Sequence, residues 1–226
     1  MHKNIIFILF ILFPLYSFAK KDINKNNILV THEEEKYYGD DNPPLSIKET
    51  YANEIKDIET YLNSFASLTA RFKQSNTDGE ISYGNIFISK PGKIRCEYIN
   101  PSPILLIIND QKITYYDQKL DEVSYTTSDA TALKILALDD LKLGKLDIIE
   151  IEKDSNSISL SIKEYNPDLK QYFIVSILFS YPRVELKQMK IVTEDNEVNA
   201  IFDKIYYNKI LGKELFFFHR DRKRQN

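Results

Sequence analysis

Apolar residues recur at helical spacing once near the start of the chain and alternate with polar ones over most of the rest. Ile47, Tyr51, Ile55, Ile58, Leu62 and Phe65 lie four, four, three, four and three residues apart. That spacing predicts one helix of about five turns with a single apolar stripe. Ser46 opens it as a capping box, with Glu49 three residues on. Lys48, Glu49, Asn53, Lys56, Asp57 and Asn63 fall on the opposite, polar face. A stripe this regular needs an apolar surface to pack against.

The pattern then changes to a period of two. Leu68, Ala70 and Phe72 alternate with Thr69, Arg71 and Lys73. Ile86 and Ile88 follow, and Ile94, Cys96 and Tyr98 alternate with Arg95 and Glu97. Ile104–Ile108 is apolar without a break, which predicts a strand covered on both faces. Further strands are predicted at Ile113–Tyr116, Glu122–Tyr125, Leu146–Glu152, Ser157–Glu164, Tyr172–Phe179, Val184–Val192 and Val198–Tyr207. Turn residues mark the breaks: Pro91-Gly92, Asn100-Pro101, Asn109-Asp110, Asp117-Gln118, Ser155-Asn156 and Asn166-Pro167-Asp168. Between the two groups of strands, Asp129–Leu138 has Leu133, Leu136 and Ala137 at helical spacing, with Ser128 or Asp129 as its cap. The expected architecture is mainly β with α. A strongly curved antiparallel sheet of about eleven strands forms a half-barrel, with helices covering its concave side. A closed barrel is the rival topology.

The ends of the chain read differently. Lys3 precedes the apolar run Ile5–Leu15, and Ser17-Phe18-Ala19 has the small-x-small form of a signal-peptide cleavage site. The run is shorter than the roughly 20 residues of a membrane anchor. Residues 1–19 are therefore expected to leave, and the secreted protein to begin near Lys20. Residues 20–45 are polar and aperiodic and read as a disordered linker. The folded domain is expected over 46–219, with a basic tail at 220–226. Net charge is −3 over the 226 residues, and loss of Lys3 with the leader makes it −4. That balance gives no field to attract nucleic acid.

The candidate chemistry is sparse. The three histidines are His2, His32 and His219, so Ser46–Phe218 contains none. This removes Ser-His-Asp and Cys-His catalysis and the usual zinc sites. No Walker A, G-x-S-x-G or G-x-G-x-x-G run occurs. Cys96, the only cysteine, sits mid-strand among apolar neighbours and reads as an inert packing residue. No enzyme and no cofactor are expected.

Three pieces, in order, resemble the LolA family of periplasmic lipoprotein carriers: YLNSFASLTARFKQ, GNIFISKPGKIRCEYINPSPILLIINDQKITYYD and TALKILALDDL. The middle piece, a strand, basic-Pro hairpin, strand, Pro and strand, is the specific one. Lys90 stands where the family usually has Arg before the hairpin Pro, and Cys96 where it often has an aromatic. The resemblance implies a LolA-like half-barrel whose concave face and helical lid enclose a cavity for acyl chains. Phe72, Ile86, Ile88, Ile94, Cys96, Tyr98, Leu133 and Leu136 would line it. Lys90 would latch the lid, donating to carbonyls at the end of the Leu133–Leu138 helix. The implied role is to ferry acylated lipoproteins, as a monomer, from an inner-membrane ABC-type release complex to the outer membrane, with or without an acceptor there. A periplasmic module of similar fold that senses lipids or lipoproteins is the alternative.

Overall fold

The computed structural model describes residues 45–127, 132–167 and 170–219. The expected leader, most of the linker, the basic tail, and Ser128 and Asp129 as caps lie outside these residues. The described elements are α1 (Ile47–Thr50), α2 (Ala52–Asn63) and α3 (Lys134–Ala137), with strands β1 (Ser67–Asn76), β2 (Ile81–Ser89), β3 (Lys93–Asn100), β4 (Ile104–Asn109), β5 (Lys112–Asp117), β6 (Glu122–Thr127), β7 (Asp147–Lys153), β8 (Ser157–Asn166), β9 (Gln171–Ser180), β10 (Glu185–Val192) and β11 (Glu197–Tyr207). Short 3₁₀ turns occupy Leu143–Lys145 and Lys213–Phe216.

All eleven strands form one sheet in the order β6-β5-β4-β3-β2-β1-β11-β10-β9-β8-β7. Every pairing is antiparallel, and β1 beside β11 joins the two halves. The sheet is open: β6 and β7 are its free edges, so the closed barrel is not formed. Within each half, β1 to β6 and β7 to β11, consecutive strands pair with their chain neighbours, as turns at the Gly, Pro, Asn and Asp breaks require.

Strand register sorts the side chains into rows across the sheet. Leu68, Ile88, Ile94, Ile108 and Ile113 face one another in turn across β1 to β5. Ala200, Met189, Ile177, Leu160 and Ile151 do the same across β11 to β7. All but the half-buried Ala200 are buried, and all ten belong to one apolar cluster or pack on it. Burying each large aliphatic side chain contributes about 1.5–3 kcal/mol, so this face dominates the stability of the fold.

The helices cover that face, but not as one five-turn helix. The capping box forms: the Glu49 backbone N–H donates to Ser46 Oγ, and the Ser46 N–H to Glu49 Oε2. The helix then breaks at Tyr51, whose backbone leaves helical values at φ −112° and ψ 30°. Ile47, on the expected stripe, is consequently exposed. Ile55, Ile58 and Leu62 of α2 are buried, and Phe65 is buried just beyond its end. Among the described residues of the second helical patch, only the single turn of α3 is helical.

β4 is covered on both faces, as its unbroken apolar run predicts. Ile104, Leu106 and Ile108 join the main cluster, while Leu105 and Ile107 are buried outside it. The Lys213–Phe216 turn packs on β3 and β4 from the outer side, with Phe216 buried. Arg95 fixes that turn by donating from Nη1 to the Leu215 carbonyl at 3.0 Å.

Gly84 is needed where Phe72 crosses it. A Cβ there would lie 2.5 Å from Phe72 Cζ and closer still to the Glu97 carbonyl oxygen, which is backbone and cannot give way. Gly84→Ala is expected to destabilise the fold by about 1–3 kcal/mol through overpacking. Gly144→Ala, with open space around the added methyl, serves as the neutral control. Urea denaturation of both variants checks this.

Candidate functional site

The site is the concave wall of the sheet with its roof. The wall is aliphatic and aromatic from β1 to β5 and again from β8 to β11. The roof is α2, α3 and residues 138–146, where Leu136, Leu141 and Leu143 are almost fully buried.

Polar contacts join the parts of the roof. Asn63 at the end of α2 makes two: its Nδ2 donates to the Leu141 carbonyl, and its Oδ1 accepts from the Leu141 N–H, both at 2.9 Å. Glu59 Oε2 accepts from the Leu143 N–H at 2.8 Å, and Lys48 Nζ donates to the Gly144 carbonyl at 2.9 Å. These bonds satisfy backbone groups that an irregular segment would otherwise leave unpaired. α2 is fixed to the sheet in turn. The Tyr61 hydroxyl accepts from the Leu186 N–H at 2.9 Å and shares a 2.7 Å bond with the Tyr207 hydroxyl. The Leu186 amide lies at an irregularity in the β9–β10 pairing, where the ladder frees a donor. Burial raises the Tyr61 phenol well above its ordinary pKa and keeps it neutral. Lys153 ties α2 to the sheet at β7, donating to Glu54 at 2.6 Å with its ammonium over the Tyr181 ring.

The family model for the outer membrane lipoprotein carrier protein LolA matches residues 63–219. This chain belongs to the LolA family. An uncharacterized protein of Rickettsia prowazekii is 25% identical over 178 residues, covering 77% of this chain and 82% of that one. The outer-membrane lipoprotein carrier protein of Pseudomonas paraeruginosa is 25% identical over 174 residues, covering 73% and 82%. Among solved structures, a LolA superfamily protein from Nitrosomonas europaea matches with a TM-score of 0.43 and 7% identity, over 74% of this chain and 97% of that one.

In this LolA-family chain the residues singled out from sequence fall together. Phe72, Ile86, Ile88, Ile94, Cys96 and Tyr98 from the wall, and Leu133 and Leu136 from the roof, are all buried in the one apolar cluster. The Phe72 and Tyr98 rings meet edge-on at 5.0 Å, and the Tyr98 hydroxyl donates to Gln74 Oε1 at 2.9 Å. Burial pushes the Cys96 thiol up to about 12, which removes the thiolate a nucleophile needs.

Lys90 sits elsewhere than expected. Its ammonium donates to the Leu62 carbonyl in the last turn of α2, not to the end of α3, and lies 4.2 Å from the centre of the Phe65 ring. A cation at a helix C-terminus is favourable whichever helix supplies the carbonyl. α3 is held to the same hairpin by backbone instead: the Gly92 N–H donates to the Ala137 carbonyl at 2.9 Å. Half-burial lowers the Lys90 pKa, and Asp139, just beyond α3, opposes the shift. The β2–β3 hairpin thus touches both halves of the roof.

Sequence reasoning missed Asn63 and Tyr115. Asn63 was placed on the solvent face, and only the fold brings Leu141 to it. Tyr115 has the parity of Ile113, a signal present in the sequence.

Asn63→Ala removes two hydrogen bonds and leaves both Leu141 backbone groups unpaired. The expected cost is about 1–3 kcal/mol, concentrated in the roof. Hydrogen exchange should show the amides of Leu141 and Leu143 losing protection while those of β1 and β11 keep theirs.

Proposed function

We propose that this protein is a periplasmic carrier, loaded with acylated lipoproteins at an inner-membrane ABC-type release complex and unloaded at the outer membrane. The observation that supports this reading is a continuous apolar wall closed by a roof that is joined through a handful of polar contacts. Secretion through a cleaved signal peptide at residues 1–19 belongs to the same reading.

The physical requirement is severe. Each methylene left in water costs about 0.8 kcal/mol, so a lipoprotein with several acyl chains cannot cross an aqueous gap unshielded. Phe72, Ile86, Ile88, Ile94, Cys96, Tyr98, Leu133 and Leu136 are the surfaces that take the chains. The roof packs on this wall when the carrier is empty, so roof and ligand compete for one surface. That competition lowers net affinity and makes handover possible. Loading then requires work from the release complex, and unloading requires a better acceptor.

Lys90 sets the balance in this scheme. Its bond to the Leu62 carbonyl holds α2 against the β2–β3 hairpin and favours the closed, empty state. Losing a charged donor costs about 1.5–3 kcal/mol where it is well shielded, and less at a half-buried site.

The test is release of lipoproteins from spheroplasts into the soluble fraction, followed by transfer to outer-membrane vesicles. The wild-type protein should do both. Lys90→Leu should load normally and transfer about tenfold more slowly, and Lys90→Arg should behave as wild type. No release by the wild type would defeat the carrier reading. Normal transfer by Lys90→Leu would reduce Lys90 to a structural tie of the hairpin.

A further inference from the structure

One polar atom on the concave wall has no partner among the described residues. Tyr115 on β5 is 7% exposed, belongs to the apolar cluster, and its hydroxyl oxygen is buried without a hydrogen bond. Its neighbours do not share this state. The Tyr98 hydroxyl is satisfied by Gln74, and the Cys96 thiol is a weak donor that tolerates an apolar setting. Buried polar groups are almost always paired, and an exception calls for an account.

The register says what lies on each side of Tyr115. One row across the sheet runs Ser124, Tyr115, Leu106, Cys96, Ile86 and Ala70, from the free edge strand β6 to β1 at the centre. The first two are hydroxyl residues and the last four are apolar. Strands lie about 4.8 Å apart, so the row extends about 19 Å inward from Tyr115. A fatty chain laid along this row would have its polar head at Tyr115 and its methylenes over Leu106, Cys96, Ile86 and Ala70.

We infer that the Tyr115 hydroxyl is a recognition donor for the ester carbonyl of an O-acyl chain lying along this row. The inference rests on the acyl-carrier reading and adds the group that is read and its place on the wall. An ester asks the wall for one donor and brings no N–H of its own. An amide carbonyl would bring an N–H that also needs an acceptor, and Leu106, Cys96, Ile86 and Ala70, which follow Tyr115 along the row, are apolar and offer no good one. Burial holds the phenol neutral, with its pKa pushed up to about 12, so the proton to be donated is present throughout the physiological range.

The experiment compares three probes on the full chain and on Tyr115→Phe: a dipalmitoyl-glyceryl-cysteine lipopeptide, its dihexadecyl ether analogue, and the same peptide carrying only an N-palmitoyl group. The wild type should bind the diester about fivefold tighter than the diether, the effect of one neutral hydrogen bond. Tyr115→Phe should bind diester and diether alike, at the wild-type diether affinity, with unchanged binding of the N-palmitoyl peptide. Its thermal stability should equal or exceed that of the wild type, because an unpaired buried hydroxyl is removed without loss of volume. Equal wild-type affinity for diester and diether would overturn the inference, as it would mean a water or nothing serves the hydroxyl. Equal losses for diester and diether in Tyr115→Phe would overturn it as a packing effect, and sensitivity of the N-palmitoyl peptide would overturn the assignment to esters. Failure of the wild type to bind any of the three defeats the acyl-carrier reading itself.

Discussion

The rest of the structure depends on how one apolar face is kept from water. An eleven-stranded open sheet turns a whole side of aliphatic and aromatic residues inward, and in a single-layer sheet only a second layer can cover it. Here that layer is slight: three turns of α2, one turn of α3 and an irregular stretch through Leu141 and Leu143. Apolar packing supplies the adhesion but not the position, because it is non-directional. Position comes from Asn63, Glu59, Lys48, Tyr61 and Lys90, each of which pairs a polar atom of the roof or hairpin with backbone. A layer held in this way can be specific and still separable, and a carrier would need both.

The outer face obeys the same constraint with the opposite result. Leu105 and Ile107 would be exposed on β4 had the chain ended at β11. Instead it continues past Tyr207 and folds the Lys213–Phe216 turn over β3 and β4. Phe217 and Phe218 carry on from it and line a groove of about 890 Å³ with Tyr125 and Thr127. The convex side is therefore partly apolar as well, while the wall that the roof covers is the larger and more continuous surface.

Much of this was legible in the sequence because strand period and turn chemistry act locally. Ile94, Cys96 and Tyr98 alternate with Arg95 and Glu97, and that alone assigns their faces once one face is known. The unbroken run Ile104–Ile108 announced cover on both sides without saying that Phe216 would provide part of it. Long-range pairings were not legible. Asn63 looks like a solvent residue because its partner, Leu141, is 78 residues away. Lys90 reaches Leu62 rather than α3 because the hairpin meets both roof elements, and only the packed arrangement decides which carbonyl is nearer. The break at Tyr51 was missed for a related reason: helical spacing continues through it, and the pattern of apolar positions carries no record of the backbone angle.

The central claim is that acyl chains lie on the concave wall beneath the roof and not in the groove of the convex side. Photo-cross-linking tests it directly, using a diacylated lipopeptide with a diazirine at the end of one acyl chain and mapping the labelled peptides. The account predicts labels on β1, β2 and β3 around Ala70, Ile86 and Cys96. Labels confined to β6 and residues 214–219, or none above the level of a boiled control, would contradict it.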